Sequence, residues 1–279
     1  MDGVTARRWL ITGISGGLGS ALADAALAMG DGVAGTSRNA QAARAFEARA
    51  PGRAIGIPLD AGDPRQAGEI VARAIDGLGG IDLLVNNAGY AQAGAVEAVS
   101  GEEAQAQFDA NFFGPVALIR AALPGLIDRG GRILNISSLA AVETYAGLGH
   151  YCASKAALSA ISESTDTEVA PLGVRCIAVE PGGMRTAFAG SSLRKSRARL
   201  PRYGEQDATQ DASFRKSDGR QSGDPARIAQ LLLRLAEMTD PPSRMVLDMA
   251  ALDRVERAVA KRLDGYRRAA SPHDDIGFP

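Results

Sequence analysis

Tyr151 and Lys155 stand four residues apart in the run His150-Tyr151-Cys152-Ala153-Ser154-Lys155-Ala156-Ala157-Leu158. The run predicts a helix that begins at His150. On it the two side chains share one face, one turn from each other. A free phenol has a pKa of about 10, too high to trade protons near neutrality. An ammonium held close by favours the phenolate and lowers that value. A drop of roughly three units corresponds to about 4 kcal/mol of differential stabilisation, much of which a close cation in a half-buried site can supply. The pair would then serve as a general acid or base near pH 7. Alone, Tyr-x-x-x-Lys is common, and a surface lysine beside a core tyrosine gives the same pattern. The weight therefore rests on what positions the pair.

Trp9-Leu10-Ile11-Thr12 reads as a short buried strand, Gly13-Ile14-Ser15-Gly16-Gly17-Leu18-Gly19 as a loop, and 20–28 as an alanine-rich helix. Strand, glycine loop and helix in that order open a dinucleotide-binding βαβ unit. Glycines let backbone approach a pyrophosphate, and a helix N-terminus offers free N–H groups to the anion. Gly13, Ser15, Gly17, Leu18 and Gly19 are the candidate contacts. The loop reads Thr-Gly-x-x-x-Gly-x-Gly through Thr12, Gly13, Gly17 and Gly19. It reads equally well as Gly-x-x-Gly-x-x-Gly through Gly13, Gly16 and Gly19, and the loop alone does not choose. A second strand over 32–36 exits into Ser37 and Arg38, where an NAD site usually carries an acid for the ribose 2′-hydroxyl. Asp31 lies at the wrong end of that strand. A guanidinium clamps a 2′-phosphate with paired hydrogen bonds and a serine hydroxyl adds another, so Ser37 and Arg38 point to NADP over NAD. Arg38 is otherwise a solvated loop residue.

Further strands are predicted over 54–59, 81–85, 131–138, 173–179 and 244–247. The intervening helices fall over 41–49, from Asp63-Pro64 through 75, over 102–126, and from Asp224-Pro225 through 235. Pro115 is expected to kink the 102–126 helix or remove one of its hydrogen bonds, and Asn111 sits inside it. Asp60 ends the third strand, where a turn aspartate fits equally well. Asn86-Asn87-Ala88-Gly89 closes the fourth strand. Ser137-Ser138 closes the fifth, where α/β sheets put their ligands.

The ordered set Thr12-Gly13-x-x-x-Gly17-x-Gly19, Asn86-Asn87-Ala88-Gly89, Asn111, Ser138, Tyr151-x-Ala153-Ser154-Lys155 and Pro181-Gly182 with Thr186 resembles the short-chain dehydrogenase/reductase family. The likeness is to its compact single-domain branch and covers residues 7 to about 188. It implies a Rossmann-type, doubly wound parallel sheet of seven strands with helices on both faces, in one domain over 1–279. It also implies that Tyr151 is general acid in reduction and general base in oxidation. Lys155 would lower its pKa, helped by an oxidised nicotinamide, and hold the ribose. Ser138 would hydrogen-bond the substrate carbonyl, and Asn111 would order a water linking Lys155 to solvent. Asn87, Ala88 and Gly89 would line the cofactor, Asp60 would hold adenine, and Pro181, Gly182 and Thr186 would position the nicotinamide end. The implied reaction is NADP-dependent reduction of a ketone or oxidation of a secondary alcohol. A 3-oxoacyl thioester reductase is the nearest rival, and an idle NADP-binding or scaffold protein is the rival from another class.

The totals are compatible with this. A chain of 279 residues, 46% hydrophobic and 23% charged, suits one domain with a sizeable core. A net charge of −1 offers no field for nucleic acid or an acidic membrane. No apolar run in the sequence looks long enough for a membrane span. Cys152 and Cys176 make no disulfide framework, and His150 and His273 have no partners for a metal, so no metal site is expected. A cytoplasmic location is the expectation. The segment 187–223 is expected to be a substrate lid, mostly a solvated, partly disordered loop over 191–222. Its eight Lys/Arg against four Asp/Glu raise recruitment of an anionic acyl thioester as the sharper reading. The final helix is predicted over 248–268 and the tail after 270 is expected to be loose. The resemblance implies a homodimer or homotetramer through helices near 102–126 and 151–170.

Overall fold

The computed structural model describes residues 6–186, 190 and 192–270. Seven parallel strands form the central sheet: β1 (Arg8–Ile11), β2 (Gly32–Thr36), β3 (Ala54–Ile57), β4 (Leu83–Asn86), β6 (Arg132–Ile136), β7 (Arg175–Glu180) and β9 (Arg244–Val246). Their spatial order is β3-β2-β1-β4-β6-β7-β9. Strand side chains alternate between faces. Trp9 and Ile11 of β1 therefore join one buried cluster, with Leu22 of α1 (Gly17–Ala28) and Leu232 of α8 (Pro225–Glu237). Leu10, between them, joins the other, with Ile70 of α3 (Ala67–Leu78) and Leu118 of α5 (Gly114–Ile127). This is the doubly wound arrangement with helices on both faces. The strand order reverses direction between β1 and β4, so the crevice that binds ligands in such sheets opens beyond their C-terminal ends.

Local chemistry sets the helix starts. Asn39 caps α2 (Ala40–Glu47) by accepting from the Gln41 and Ala42 N–H groups. Asp224 accepts from Ala226 N–H at the start of α8. Ser100 and Glu103 form a reciprocal capping box on α4 (Gly101–Phe108). The helix expected over 102–126 is continuous but not uniform. Between α4 and α5, residues Asp109–Phe113 form a π-helical turn in which Gly114 N–H bonds the Asp109 carbonyl, five residues back. Pro115 has no N–H to bond the Asn111 carbonyl, so the ladder is already broken there. By length and composition this helical stretch, Gly101–Ile127, is long and apolar enough to cross a membrane, contrary to the sequence expectation. Its Leu118, Ile119, Ala122 and Leu126 pack against Leu84 and Ile133 of the sheet, as a core helix requires.

The stretch 191–222 departs most from expectation. It was expected to be largely an irregular loop; its described residues hold strand β8 (Leu193–Lys195) and helix α7 (Gly204–Ser217). β8 pairs in parallel with β5 (Ala91–Ala93), a three-residue strand just after Asn86-Asn87-Ala88-Gly89. Two short partners order the segment because each satisfies the other's backbone groups. Residues 187–189 and 191 of the expected lid, and the tail after 270, lie outside the described residues. The last helix, α9 (Met249–Ala270), begins where Asp248 accepts from Ala251 N–H.

Asp31 serves the sheet rather than a ribose. Its carboxylate accepts from Arg7 N–H at 2.9 Å and from the buried Trp9 indole N–H at 2.8 Å, at the sheet end opposite the crevice. Asp31→Ala is expected to cost about 1–3 kcal/mol in urea unfolding, the price of stranding a buried donor, while leaving dinucleotide affinity unchanged.

Candidate active site

A cavity of about 1920 Å³ lies over the C-terminal ends of β1, β2, β4, β6 and β7. Gly13, Ser15, Gly17, Leu18, Ser37, Arg38, Asp60, Asn87, Ala88, Gly89, Ser138, Tyr151, Lys155, Pro181, Gly182 and Thr186 all line it. Of the candidates read from sequence, Gly19 and Asn111 are not among its lining residues.

The glycine loop is stapled to β4. Thr12 Oγ1 accepts from both Asn87 N–H and Ala88 N–H at 2.9 Å, and Asn87 Nδ2 donates to the Thr12 carbonyl at 2.8 Å. Asn87 thus shapes the loop as well as the wall. A Cβ on Gly19 would come within 2.3 Å of the Gly13 carbonyl oxygen and 2.5 Å of Asn87 Nδ2. Gly13 and Gly17 have φ of 76° and 58°, in the left-handed region. Gly16 is extended, and a Cβ there would meet nothing within 4 Å. Sterics therefore choose the Gly13, Gly17, Gly19 pattern. The α1 N-terminus carries neither a side-chain cap nor an acid in its first turn. A close-fitting backbone cradle with uncapped N–H groups fits a dinucleotide pyrophosphate.

At the β2 exit, Ser37 is buried. Its hydroxyl lies 2.7 Å from the Ser15 hydroxyl and accepts from Asn39 N–H. Arg38 is exposed and makes no hydrogen bond or ion pair among the described residues. Asp60 accepts from Gly62 N–H at 2.9 Å, so it does close a turn while facing the cavity. Of the two asparagines ending β4, Asn86 points away and donates to Asn135 inside the core.

Tyr151 and Lys155 sit on α6 (Gly149–Val169), 6% and 5% exposed. Ser137 fixes this helix to β6 by donating to the Lys155 carbonyl at 3.0 Å. Ser138, just beyond, accepts from Ala140 N–H and hydrogen-bonds the Tyr151 phenol. Lys155 Nζ donates to the Ile136 carbonyl at 2.7 Å. The expected lowering of the tyrosine by the lysine does not dominate here. Burial pushes the Tyr151 phenol well above its ordinary value, with the Ser138 hydrogen bond acting against it. Burial also brings Lys155 down to about 8. Desolvation opposes the charged form of both groups, and the ammonium is already engaged by a carbonyl.

Asn111 stands behind the wall, fully buried in the π turn. Its side chain accepts from Tyr90 N–H at 3.2 Å and donates to the Tyr90 carbonyl and Ser154 Oγ, both at 3.1 Å. A Cβ on Gly89 would lie 2.8 Å from Asn111 Oδ1, so Gly89 makes room for it. Glu180 does not reach the cavity. It is buried, accepting from Ser159 Oγ at 2.7 Å and Arg244 at 2.5 Å.

Sequence reasoning missed the far end of the cavity. Arg254 of α9 donates to Glu143 at 2.8 Å and to the Tyr145 hydroxyl at 2.5 Å. Burial pushes Tyr145 up to about 12, so it stays protonated. No motif marks Arg254, since its partners are more than a hundred residues away. Among the described residues, no three His, Cys, Asp or Glu side chains are grouped to hold a metal ion.

Two outcomes follow. Gly19→Ala is expected to weaken dinucleotide binding at least about tenfold by fluorescence titration, and Gly16→Ala to leave it nearly unchanged. Lys155 is lowered in the folded state from about 10.4, so between pH 8 and about 10.4 the unfolded chain holds the extra proton and stability rises with pH. Unfolding of the wild type should therefore gain on Lys155→Met as pH rises from 7 to 10, by up to about 3 kcal/mol; a pH-independent gap would contradict the shift.

Comparison with known proteins agrees with this geometry. The family model described as short chain dehydrogenase matches residues 7–197. An oxidoreductase of Botryotinia fuckeliana is 35% identical over 252 residues, covering 90% of this chain and 92% of the relative. The crystal structure of a short-chain dehydrogenase from Streptomyces avermitilis superposes with a TM-score of 0.86 at 36% identity, covering 96% of this chain and 98% of the other. A short chain dehydrogenase from Burkholderia cenocepacia, solved in complex with NADP, is 30% identical with a TM-score of 0.70, covering 88% and 97%. The chain belongs to the short-chain dehydrogenase/reductase family, in its compact single-domain branch, and is an NAD(P)-dependent oxidoreductase acting on CH–OH groups.

Proposed function

We propose that the protein is an NADP-dependent carbonyl reductase or alcohol dehydrogenase with Tyr151 as its general acid and base. The observation that carries this is the Tyr151–Ser138 hydrogen bond at the wall of the cavity that also holds the glycine cradle. When bound, the dinucleotide supplies the hydride chemistry. The chain supplies orientation and the proton. Ser138 Oγ donates to the substrate oxygen and stabilises its developing negative charge. Tyr151 gives that oxygen its proton in reduction and takes it back in oxidation. Lys155, with a pKa of about 8, is mostly an ammonium at neutral pH and favours the phenolate as the proton leaves. Asn111 positions Gly89 and Tyr90 from behind, and shapes the route by which a water reaches Lys155. Gly13, Ser15, Gly17, Leu18 and Gly19 hold the pyrophosphate, Asp60 and Ala88 the adenosine end, and Pro181, Gly182 and Thr186 the nicotinamide end.

The NADP preference rests on Arg38, an exposed guanidinium at the cavity edge that no carboxylate neutralises among the described residues, and on the adjacent Ser37. The segment 187–223 acts as the substrate lid. Phe113, exposed on the long helix, supports self-association through that face and α6, which light scattering tests. Two unpaired, buried thiols suit a reducing, cytoplasmic setting.

Tyr151→Phe is expected to lower ketone reduction at least about 100-fold while the cofactor still binds; undiminished turnover would leave the idle-protein reading. Arg38→Leu should weaken NADPH binding by about tenfold or more and leave NADH nearly unchanged, and equal effects on both would remove the 2′-phosphate role.

A further inference from the structure

One wall of the cavity is built by α7. Gln206, Thr209, Gln210, Ser213, Phe214 and Ser217 line the cavity. They fall at i, i+3, i+4, i+7, i+8 and i+11, one face of a helix. Five of the six are uncharged hydroxyls or carboxamides. Gln210 is used structurally, donating to the Ala146 carbonyl at 2.9 Å. Gln206 and Ser213 make no side-chain hydrogen bond to the protein among the described residues. Their donors and acceptors are offered to the cavity.

Several of the charges at this end are paired locally. Arg202 is paired with Glu97, and Arg254 with Glu143 at 2.8 Å. Deeper in the lid, Lys195 and Arg199 are paired with Asp211 and Asp207, at 2.7 and 2.8 Å. Arg194 is stacked 4.0 Å over the Tyr90 ring. Glu205, in the first turn of α7, lines the cavity with no cationic partner among the described residues. Arg194 also lines the cavity, with no carboxylate partner among the described residues. Arg254 holds the Tyr145 hydroxyl and Glu143 in a fixed neutral cluster facing the same space.

We propose that the substrate carries several hydroxyls, a polyol or its ketone, with Gln206 and Ser213 of α7 reading the hydroxyls away from the reacting carbon. This rests on the oxidoreductase reading for the reacting carbon alone. A carboxylate or phosphorylated carrier arm would face Glu205 and the paired Arg202 and Arg254, with Arg194 held against the Tyr90 ring. A plain alkyl ketone would make no hydrogen bond to the α7 amide and hydroxyl, and so forgoes that discrimination.

Calorimetry on the NADP-loaded protein tests this with a pair of equal carbon skeletons, erythritol and 2-butanol, and with acetoacetyl-N-acetylcysteamine as the thioester. Erythritol is expected to bind at least about tenfold more tightly than 2-butanol, about 1.4 kcal/mol. The double variant Gln206→Leu/Ser213→Ala is expected to bring that ratio close to one. The inference is overturned if 2-butanol or the thioester binds as tightly as erythritol, or if the ratio survives the double variant. The oxidoreductase reading fails separately, if erythritol binds as expected but gives no change in cofactor absorbance.

Discussion

Burial of Tyr151 and Lys155 on one face of α6 is the constraint the site depends on. Desolvation disfavours the charged form of each, so it raises the phenol and lowers the amine. The fold tolerates the lysine because the Ile136 carbonyl, at the end of β6, accepts from it at 2.7 Å. It tolerates the tyrosine because Ser138 gives the phenol a partner. Both partners come from the same strand end, which the Ser137 bond to the Lys155 carbonyl locks to the helix. Register between β6 and α6 thus sets the positions of Ser138, Tyr151 and Lys155 relative to one another.

The rest of the molecule holds this arrangement in place. Thr12 ties the glycine loop to the end of β4, so the cofactor cradle and the Asn87-Ala88-Gly89 wall move as one piece. The π turn lets Asn111 brace Tyr90 from behind, and Tyr90 leads directly into β5. β5 in turn pairs with β8 and carries the chain across the cavity toward α7. The cradle wall and the α7 wall are therefore linked through a few short segments rather than a large second core.

Much of this was legible in the sequence, for identifiable reasons. The central strands are short apolar runs bounded by glycine or by polar cap residues, and Asp63 and Asp224 announce helix starts by side-chain chemistry alone. Ser138, Tyr151, Lys155 and the cradle glycines Gly13 and Gly17, which line one cavity, could be named as candidates because backbone approach and proton transfer tolerate few residue types. The choice between two glycine patterns was not legible, since it turns on the space around Gly16 and Gly19. Nor was α7, whose residues show almost no apolar stripe because its inner face meets a cavity rather than a core. Asn87 and Ser37 look like ligand contacts in sequence and prove to be scaffold as well, because short polar side chains at strand ends bond nearby backbone first. Arg254 depends on a contact across 111 residues and leaves no local trace.

The central claim is that a phenol held protonated by burial becomes a usable base when positive charge is placed beside it. The most direct measurement is a carbon-13 NMR titration of the Tyr151 ring Cζ, with and without oxidised cofactor. The account predicts a phenol that stays protonated well above pH 10 in the free protein and falls toward neutrality on loading, less far in Lys155→Met. A phenol that titrates at its ordinary value in the free protein, or that does not move when the oxidised cofactor binds, would contradict it.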